Sequence, residues 1–407
     1  MELTKEEAIK IIIFLGIISL LGDLIYESSV SINGQYFQLL NANAVILGIV
    51  FGVASFLGYI LRLLSGFLSD KTKAYFLFAM FGYGSMIFIP LLCLVIDWRL
   101  AAFFIVFERI GKAFRAPAKD TLLSFASKKI GTGLGFGISE VLDQIGALIG
   151  PLLMSLFFTF FVTDFSIKSY QKAYSLLFIP YIFLMIVLLL VYFSLNLKVE
   201  KKTIEKTKIE DHSSKKLLLL YSFFMFFTTF GLISFSLVGY HLKKNAIFPD
   251  NTIPLLYAVA MIIDAVFAII LGKLYDKAME KSKNSAFFSL FTLPFLTILL
   301  FLLLFSNNIL FIWMGIFILG LILSYHETIS KAIISDITLE SKRGFAFGFY
   351  NFLYGFALLL GSLLIGYIYE SFYGFLILFV LITQIASLII LIFFFKELNL
   401  KYNKIKN

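Results

Sequence analysis

Charged side chains lie within segments of the chain that are otherwise apolar. In one such segment Glu108 and Arg109 are adjacent, and Lys112, Arg115 and Lys119 follow at steps of three or four residues. This spacing places Glu108, Lys112, Arg115 and Lys119 on one face of a helix. Because a charge at the centre of a bilayer costs about 2.5–3.5 kcal/mol to insert, this face is expected to meet other charges or water.

Other apolar segments carry further ionisable residues. The candidate substrate and proton-coupling residues are Asp23, Glu27, Glu108, Arg109, Lys112, Arg115, Glu140, Asp143, Asp264, His326 and Glu327. A carboxylate that moves between an apolar environment and a neighbouring cation changes its proton affinity, so it can load and release a proton. A fixed ion-pair network that holds the first half of the chain together is the alternative interpretation.

Depth along each segment suggests which charges could pair. At a rise of 1.5 Å per residue, Arg109 lies about 14 Å deep, and Glu140 and Asp143 lie about 12–17 Å deep. Adjacent helical residues point about 100° apart, so Arg109 and Glu108 cannot satisfy each other. We therefore expect Arg109 to pair with Glu140 or Asp143, with Asp23 across the cavity.

The composition explains why these charges need partners. Of the 407 residues, 60% are hydrophobic and 14% are charged, with a mean hydropathy of +0.96. A soluble protein carries roughly 25% charged residues, so lipid is the expected solvent. The net charge of +9 does not come from a basic soluble face, because Lys and Arg lie between apolar runs. The expected partner is therefore the lipid bilayer, and no nucleic acid is expected.

The apolar segments have the length that a membrane span requires. A span needs about 20 apolar residues, and lipid admits only helices or closed barrels. The segments lack the alternation of barrel strands. The predicted spans are 9–27, 45–69, 74–96, 100–125, 132–161, 173–195, 217–240, 254–275, 286–305, 309–336, 344–368 and 373–395. The predicted fold is an all-α membrane protein with twelve transmembrane helices in two pseudo-symmetric six-helix bundles.

A charged stretch divides the chain into halves. The predicted domains are an N-terminal six-helix bundle at 1–195, a cytoplasmic linker at 196–216, a C-terminal six-helix bundle at 217–395 and a cytoplasmic tail at 396–407. Most of the 34 Lys and Arg residues fall on the side of the linker, which predicts that both termini are cytoplasmic.

The two halves repeat a short motif. Its members in the first half are Gly66, Asp70 and Lys71, and those in the second half, 206 residues later, are Gly272, Asp276 and Lys277. Duplicated halves are typical of secondary transporters, which bind substrate between their repeats near the midplane.

Several motifs together resemble the major facilitator superfamily. The stretch Gly66-x-Leu68-Ser69-Asp70-Lys71 resembles the family's G-x-L-a-D-r-x-G loop motif, although Lys73 occupies the second glycine position. Gly146-x-x-x-Gly150-Pro151 is similar to a motif common in exporters of that family. The stretch from Glu108 to Asp120 is similar to D-R-x-G-K-G-x-R-x-A-P-R-D of a prokaryotic permease subgroup.

The resemblance implies a mechanism and roles. Spans one, four, seven and ten would line a cavity, and Asp70 would lock one of two conformations, or merely anchor a loop. Gly146, Gly150 and Pro151 would serve helix packing or coupling. The expected function is proton-coupled export by alternating access. Proton-coupled uptake by symport is the alternative, and a non-transport membrane protein is a more distant one.

The remaining expectations concern chemistry and location. Cys93 is the single cysteine, and His212, His241 and His326 lie far apart, so neither a disulfide nor a metal site is expected. No catalytic residue and no cofactor are predicted, so the chain is not expected to be an enzyme. We expect a monomer in the plasma (inner) membrane that moves a small-molecule substrate together with protons.

Overall fold

A computed structural model of the protein describes residues 5–127, 132–195, 212–306, 308–338 and 343–406. In these ranges the regular elements are helices, and no β-strand occurs. The α-helices are α1 Lys5–Leu39, α2 Ala44–Thr72, α3 Tyr75–Gly84, α4 Trp98–Ser127, α5 Thr132–Phe161, α6 Ile167–Leu176, α7 Phe178–Leu195, α8 His212–Phe230, α9 Phe235–Lys244, α10 Thr252–Lys281, α11 Lys283–Phe288, α12 Thr292–Leu304, α13 Ile309–Ser324, α14 Ser330–Ile337, α15 Arg343–Ser371 and α16 Leu376–Lys406.

The helices account for the twelve predicted spans. Eleven stretches of the described chain are long and apolar enough to cross a membrane. The fourth predicted span is α4, a 30-residue helix whose many charges keep it outside that group. Several of the described spans are built from more than one helical piece: α3 continues into 3₁₀ turns, α6 is followed by α7, α8 by α9, α11 by α12 after a 3₁₀ turn at Ser289–Phe291, and α13 by α14 after a π-helical turn at Tyr325–Ile329. The all-α membrane fold is confirmed.

The first span is longer than predicted. Its apolar run was expected to end at residue 27, whereas α1 continues to Leu39. The extension contains small and polar residues, among them Ser28, Ser31, Asn33 and Gln35, and these side chains are buried. They are buried against other helices rather than against lipid, so hydropathy alone does not reveal them.

One compact unit is built around α1. It comprises the described residues between 1 and 202 together with Phe235–Ala258. Helix α1 packs on α4, α5, α7 and α9. A Cβ atom at Gly146 or Gly150 of α5 would collide with the α1 backbone at Leu20 and Leu24. These glycines therefore allow two helix backbones to touch, as small residues do in membrane proteins.

The other compact unit comprises the described residues of Thr203–Ser234 and Val259–Asn407. Helix α8 packs on α15 and α16, and α12 packs on α13 and α16. The amide of Gln384 donates to the Thr228 carbonyl at 3.3 Å, and the Tyr221 hydroxyl donates to the Ser330 carbonyl at 3.2 Å. Most of the predicted linker, 196–211, lies outside the described residues, so the predicted domain boundaries stay predictions.

Candidate functional site

Two of the α4 charges satisfy each other inside the first unit. The Arg115 guanidinium lies 3.0 Å from the Glu108 carboxylate, and the side chains are 5% and 2% exposed respectively. Arg115 also donates to the Gly82 carbonyl of α3 at 3.3 Å and lies 5.4 Å from the centre of the Tyr83 ring. Glu108 and Arg115 are two turns apart on α4, and both side chains are enclosed. The hydrogen bond from Arg115 to the Gly82 carbonyl ties α4 to α3.

A second pair joins three helices. The Lys119 ammonium lies 2.9 Å from Oδ2 of Asp143 on α5 and donates to the Ser19 hydroxyl of α1 at 2.6 Å. The two charged side chains are 13% and 17% exposed. The other carboxylate oxygen of Asp143, Oδ1, is buried and accepts no hydrogen bond from the described residues. Lys119 therefore links α4 to both α1 and α5, and it occupies one oxygen of Asp143 while the second oxygen stays unsatisfied.

Two further cations of α4 share one aromatic ring. The Arg109 guanidinium and the Lys112 ammonium each lie 4.2 Å from the centre of the Tyr26 ring on α1. Both side chains are half-buried, and within the described part of the chain neither forms a salt bridge or a hydrogen bond. A cation over an aromatic face is stabilised by about 0.5–2 kcal/mol, less than a buried carboxylate would provide.

Two carboxylates of α1 lie close to Tyr26 in the sequence, Asp23 three residues before it and Glu27 directly after it. Asp23 is half-buried, and its charge acts on both Arg109 and Lys112. In the described structure Asp23 takes part in no salt bridge and no hydrogen bond. Glu27 accepts a hydrogen bond of 2.8 Å from the Tyr257 hydroxyl. The first unit thus gathers Asp23, Glu27, Arg109 and Lys112 around Tyr26.

The expected partner of Arg109 is wrong. Asp143 pairs with Lys119, and Glu140 is exposed and accepts a hydrogen bond of 3.4 Å from Gln144, one turn further along α5. The reason is axial position. Counted from the adjoining ends of α4 and α5, Lys119 lies about 12 Å and Asp143 about 17 Å along its helix, whereas Arg109 lies about 27 Å along.

The candidates of the second half belong to the second unit. Asp264 on α10 is 2% exposed, and Glu327 is exposed. His326 is 7% exposed and lies in the π-helical turn, a feature common at functional sites. Its ring lies 5.4 Å from the Tyr354 ring, and neither ring nitrogen has a hydrogen-bond partner among the described residues.

The loop motif ends α2 in an unusual backbone conformation. Lys73 has φ 58°, in the left-handed region, and its N–H donates to the Ser69 carbonyl at 2.8 Å. This is the position at which the motif has a glycine, and glycine adopts that conformation without strain. Gly66 is half-buried and Lys71 is exposed, while the Asp70 side chain lies outside the described part.

The matching motif on α10 is helical throughout. Gly272 is half-buried, and Asp276 and Lys277 are exposed. On α5, Pro151 is buried within a helix that continues through it to Phe161. The gating role of the two loop motifs stays a prediction.

Three partners in the first unit did not emerge from the sequence: Ser19, Tyr26 and Tyr257. Ser19 lies four residues before Asp23 and Tyr26 lies three residues after it. This helical spacing places Ser19, Asp23 and Tyr26 on one face of α1. The helical spacing around Asp23 therefore indicates both Ser19 and Tyr26. Tyr257 lies 230 residues from Glu27, and no local spacing indicates that contact.

The described residues form membrane-spanning helices with buried charge pairs, and the sequence repeats a short motif in its two halves, a combination typical of polytopic transport proteins. The sequence matches the family model of the Major Facilitator Superfamily over residues 12–326 and 248–405, and the chain belongs to this family.

Two relatives extend over nearly the whole chain. An uncharacterized protein of Mycobacterium tuberculosis (strain ATCC 25618 / H37Rv) is 29% identical over 390 residues, covering 92% of this chain and 90% of the relative. An uncharacterized MFS-type transporter of Methanocaldococcus jannaschii is 27% identical over 384 residues, covering 90% of each.

Solved transporters share the fold. The chain superposes on tetrameric PepTSo2 with a TM-score of 0.72 and 13% identity, covering 96% of this chain and 98% of the other. The nucleoside transporter NupG gives a TM-score of 0.66 with 16% identity, covering 95% and 99%. A bacterial homolog to the human lysosomal transporter Spinster, inward-facing and occupied, gives 0.69 with 12% identity, covering 96% of each. At these identities the likeness shows the fold.

Proposed function

We propose that the protein is a proton-coupled secondary transporter that moves a small molecule by alternating access. Membrane transport itself follows from the family. The observation that supports proton coupling is the bridge of Lys119 with Asp143 and Ser19, in which one oxygen of Asp143 is buried without a hydrogen bond. We place the transporter in the plasma membrane as a monomer, with both termini in the cytoplasm.

Protonation of Asp143 supplies the mechanical step. The charged carboxylate attracts the Lys119 ammonium across the α4–α5 contact, and a neutral carboxyl group loses most of that attraction. The proton binds at Oδ1, the oxygen that Lys119 does not occupy. Its arrival therefore weakens the link between α4 and α5 and allows these two helices to shift relative to one another.

The direction of transport follows less directly. Export was expected from Gly146-x-x-x-Gly150-Pro151, and the contacts of these glycines with Leu20 and Leu24 of α1 give the motif a packing role that has no direction. Symport is supported by a separate observation: Arg109 and Lys112 have no salt-bridge partner in the described structure and can take an anion beside Asp23, a proton acceptor, so that both ligands bind in one site and move in the same direction. We therefore propose uptake, with export as the alternative.

The test uses purified protein in liposomes loaded with the pH dye pyranine. Monocarboxylates, nucleosides, dipeptides and organic cations are added outside in turn, with and without an uncoupler. We expect one class to acidify the lumen, and Asp143→Asn to abolish that signal. Glu140→Gln, an exposed carboxylate on the same helix, is the matched control and should retain it.

Two results would count against the proposal. Uptake of a labelled solute that is indifferent to uncoupler and to pH would show a uniporter. Full proton flux in Asp143→Asn would move the coupling step to another carboxylate. Alkalinisation of the lumen on adding a solute outside would establish exchange for protons and so support export.

A further inference from the structure

The pair of cations over Tyr26 has more hydrogen-bonding capacity than the protein uses. Arg109 carries five N–H donors and Lys112 carries three. In the described structure none of these donors forms a hydrogen bond to the protein. Since the residues are three apart on α4, their charged groups lie on the same side of the helix. They converge on one ring, with Arg109 Cζ and Lys112 Nζ each 4.2 Å from its centre.

The neighbouring cations differ in this respect. Arg115 and Lys119 lie on the same helix, and each has a carboxylate within 3.0 Å. Half-buried cations without such a partner are rare in a membrane, because each one is costly to insert. Arg109 and Lys112 are therefore two cationic groups that have no side chain in salt-bridge contact within the described structure.

The charge of the site sets the charge of its ligand. After the two salt bridges of α4 are set aside, the charged residues next to Tyr26 on α1 and α4 are Arg109 and Lys112 against Asp23 and Glu27. With all four ionised, these residues sum to zero. Glu27 accepts a hydrogen bond from the Tyr257 hydroxyl, whereas Asp23 takes part in no hydrogen bond within the described structure. One proton on Asp23 leaves a charge of plus one.

We propose that Arg109 and Lys112, seated on Tyr26, bind the oxyanion group of a monovalent anionic substrate, a carboxylate or a phosphate, and that Asp23 is the first acceptor of the one transported proton, which then reaches Asp143. This assignment rests on the proposed transport function and names its substrate class. The guanidinium offers two parallel N–H groups to the oxyanion, and the ammonium adds a point charge.

Proton and anion reinforce each other at this site. An ionised Asp23 repels an incoming anion, and protonation removes the repulsion, so each ligand strengthens binding of the other by the same factor. The charged groups near Asp23 are Arg109, Lys112 and Lys119 of α4 and Asp143 of α5, and the neutral phenol of Tyr83 on α3 is its further titratable neighbour. The empty site and the site loaded with proton and anion carry equal charge, as a symporter requires of its two translocating forms.

Binding is measured by thermal unfolding of purified protein in detergent during titration. The probes are benzoate and inorganic phosphate, with benzamide as the neutral analogue of benzoate and benzylamine as the cationic analogue. We expect at least one of the two anions to stabilise the protein, with an affinity that rises as the pH falls from neutral to mildly acidic. The two anions separate carboxylate from phosphate recognition.

Variants locate the binding. Arg109→Gln and Lys112→Gln should each weaken binding of the anion about tenfold or more, because each removes a charged hydrogen-bond donor. Arg109→Lys keeps the charge and should lose less. Arg99→Gln is the matched control, since Arg99 lies over the Trp98 ring at 5.2 Å on the same helix and is largely exposed. Asp23→Asn should retain binding and lose its pH dependence.

The outcomes separate the site from the transport mechanism. The anion site would be overturned if neither anion stabilised the protein, or if the anion stabilised both glutamine variants as much as the wild type. This would hold even if proton flux with a neutral or cationic solute upheld coupled transport. Binding that depends on Arg109 and Lys112 but causes no proton flux in liposomes would uphold the site and reject coupling. If a glutamine variant does not fold, the single variants Arg109→Lys and Tyr26→Leu test the anion site instead. Loss of the Tyr26 ring should also weaken binding of the anion.

Discussion

Removal of the Glu108 charge should destabilise the first unit strongly. The pair with Arg115 spans 3.0 Å, and both side chains are almost fully enclosed. Breaking a buried pair by removing one partner costs about 3–5 kcal/mol, because the other charge is left buried. Arg115 keeps the Gly82 carbonyl and the Tyr83 ring, which offset part of this penalty. We therefore expect Glu108→Gln to cost about 3 kcal/mol, the lower end of that range.

The double variant Glu108→Gln with Arg115→Met tests the reasoning. Replacing both charges removes the stranded ion, so it should be more stable than Glu108→Gln alone. The free energy of unfolding is measured by titrating SDS into detergent micelles and following helical circular dichroism. Asp97→Asn is the control: its salt bridge to Arg99 is largely exposed, so its removal should cost less than about 1 kcal/mol. Equal stability of Glu108→Gln and the wild type, or a double variant less stable than Glu108→Gln, would refute the argument.

Three further predictions concern packing, gating and topology. Gly146→Leu should prevent stable folding, since a side chain there meets the α1 backbone, whereas Gly137→Ala, with open space around it, should fold normally; detergent size-exclusion profiles compare them. Asp70→Asn should keep the fold but reduce transport by shifting the inward- and outward-open populations, and unchanged flux with unchanged cysteine labelling would reduce Asp70 to a loop anchor. A reporter fused after Lys404 should be active only in the cytoplasm, and an exported reporter would reverse the topology.

The sequence predicts the spans well because the bilayer imposes a single length scale. The predicted fifth span, 132–161, coincides with α5, and the tenth, 309–336, differs by one residue from the stretch Ile309–Ile337. The first span fails at its outer end, because the small and polar residues after Glu27 are buried by other helices. Hydropathy measures preference for lipid and does not detect helices that are shielded from it.

The site is predicted in its members and only partly in its contacts. Spacing on α4 identifies Glu108, Lys112 and Arg115 as residues of one face, and the insertion cost of a charge explains why they need partners. The choice of partner depends on how far each residue lies from the adjoining ends of α4 and α5. The predicted depths were counted from opposite ends of the two spans and did not include this distance. That error moved the partner of Asp143 from Lys119 to Arg109.

The π-helical turn at Tyr325–Ile329 has a consequence for how this chain can change by insertion and deletion. A π turn holds about one residue more than an α-helical turn of the same span. Deleting one residue within it would restore a continuous α-helix and leave α14 in its present register. A deletion elsewhere in the tenth span would rotate every later residue by about 100°. This turn is therefore the position in the tenth span at which the loss of a single residue is best tolerated.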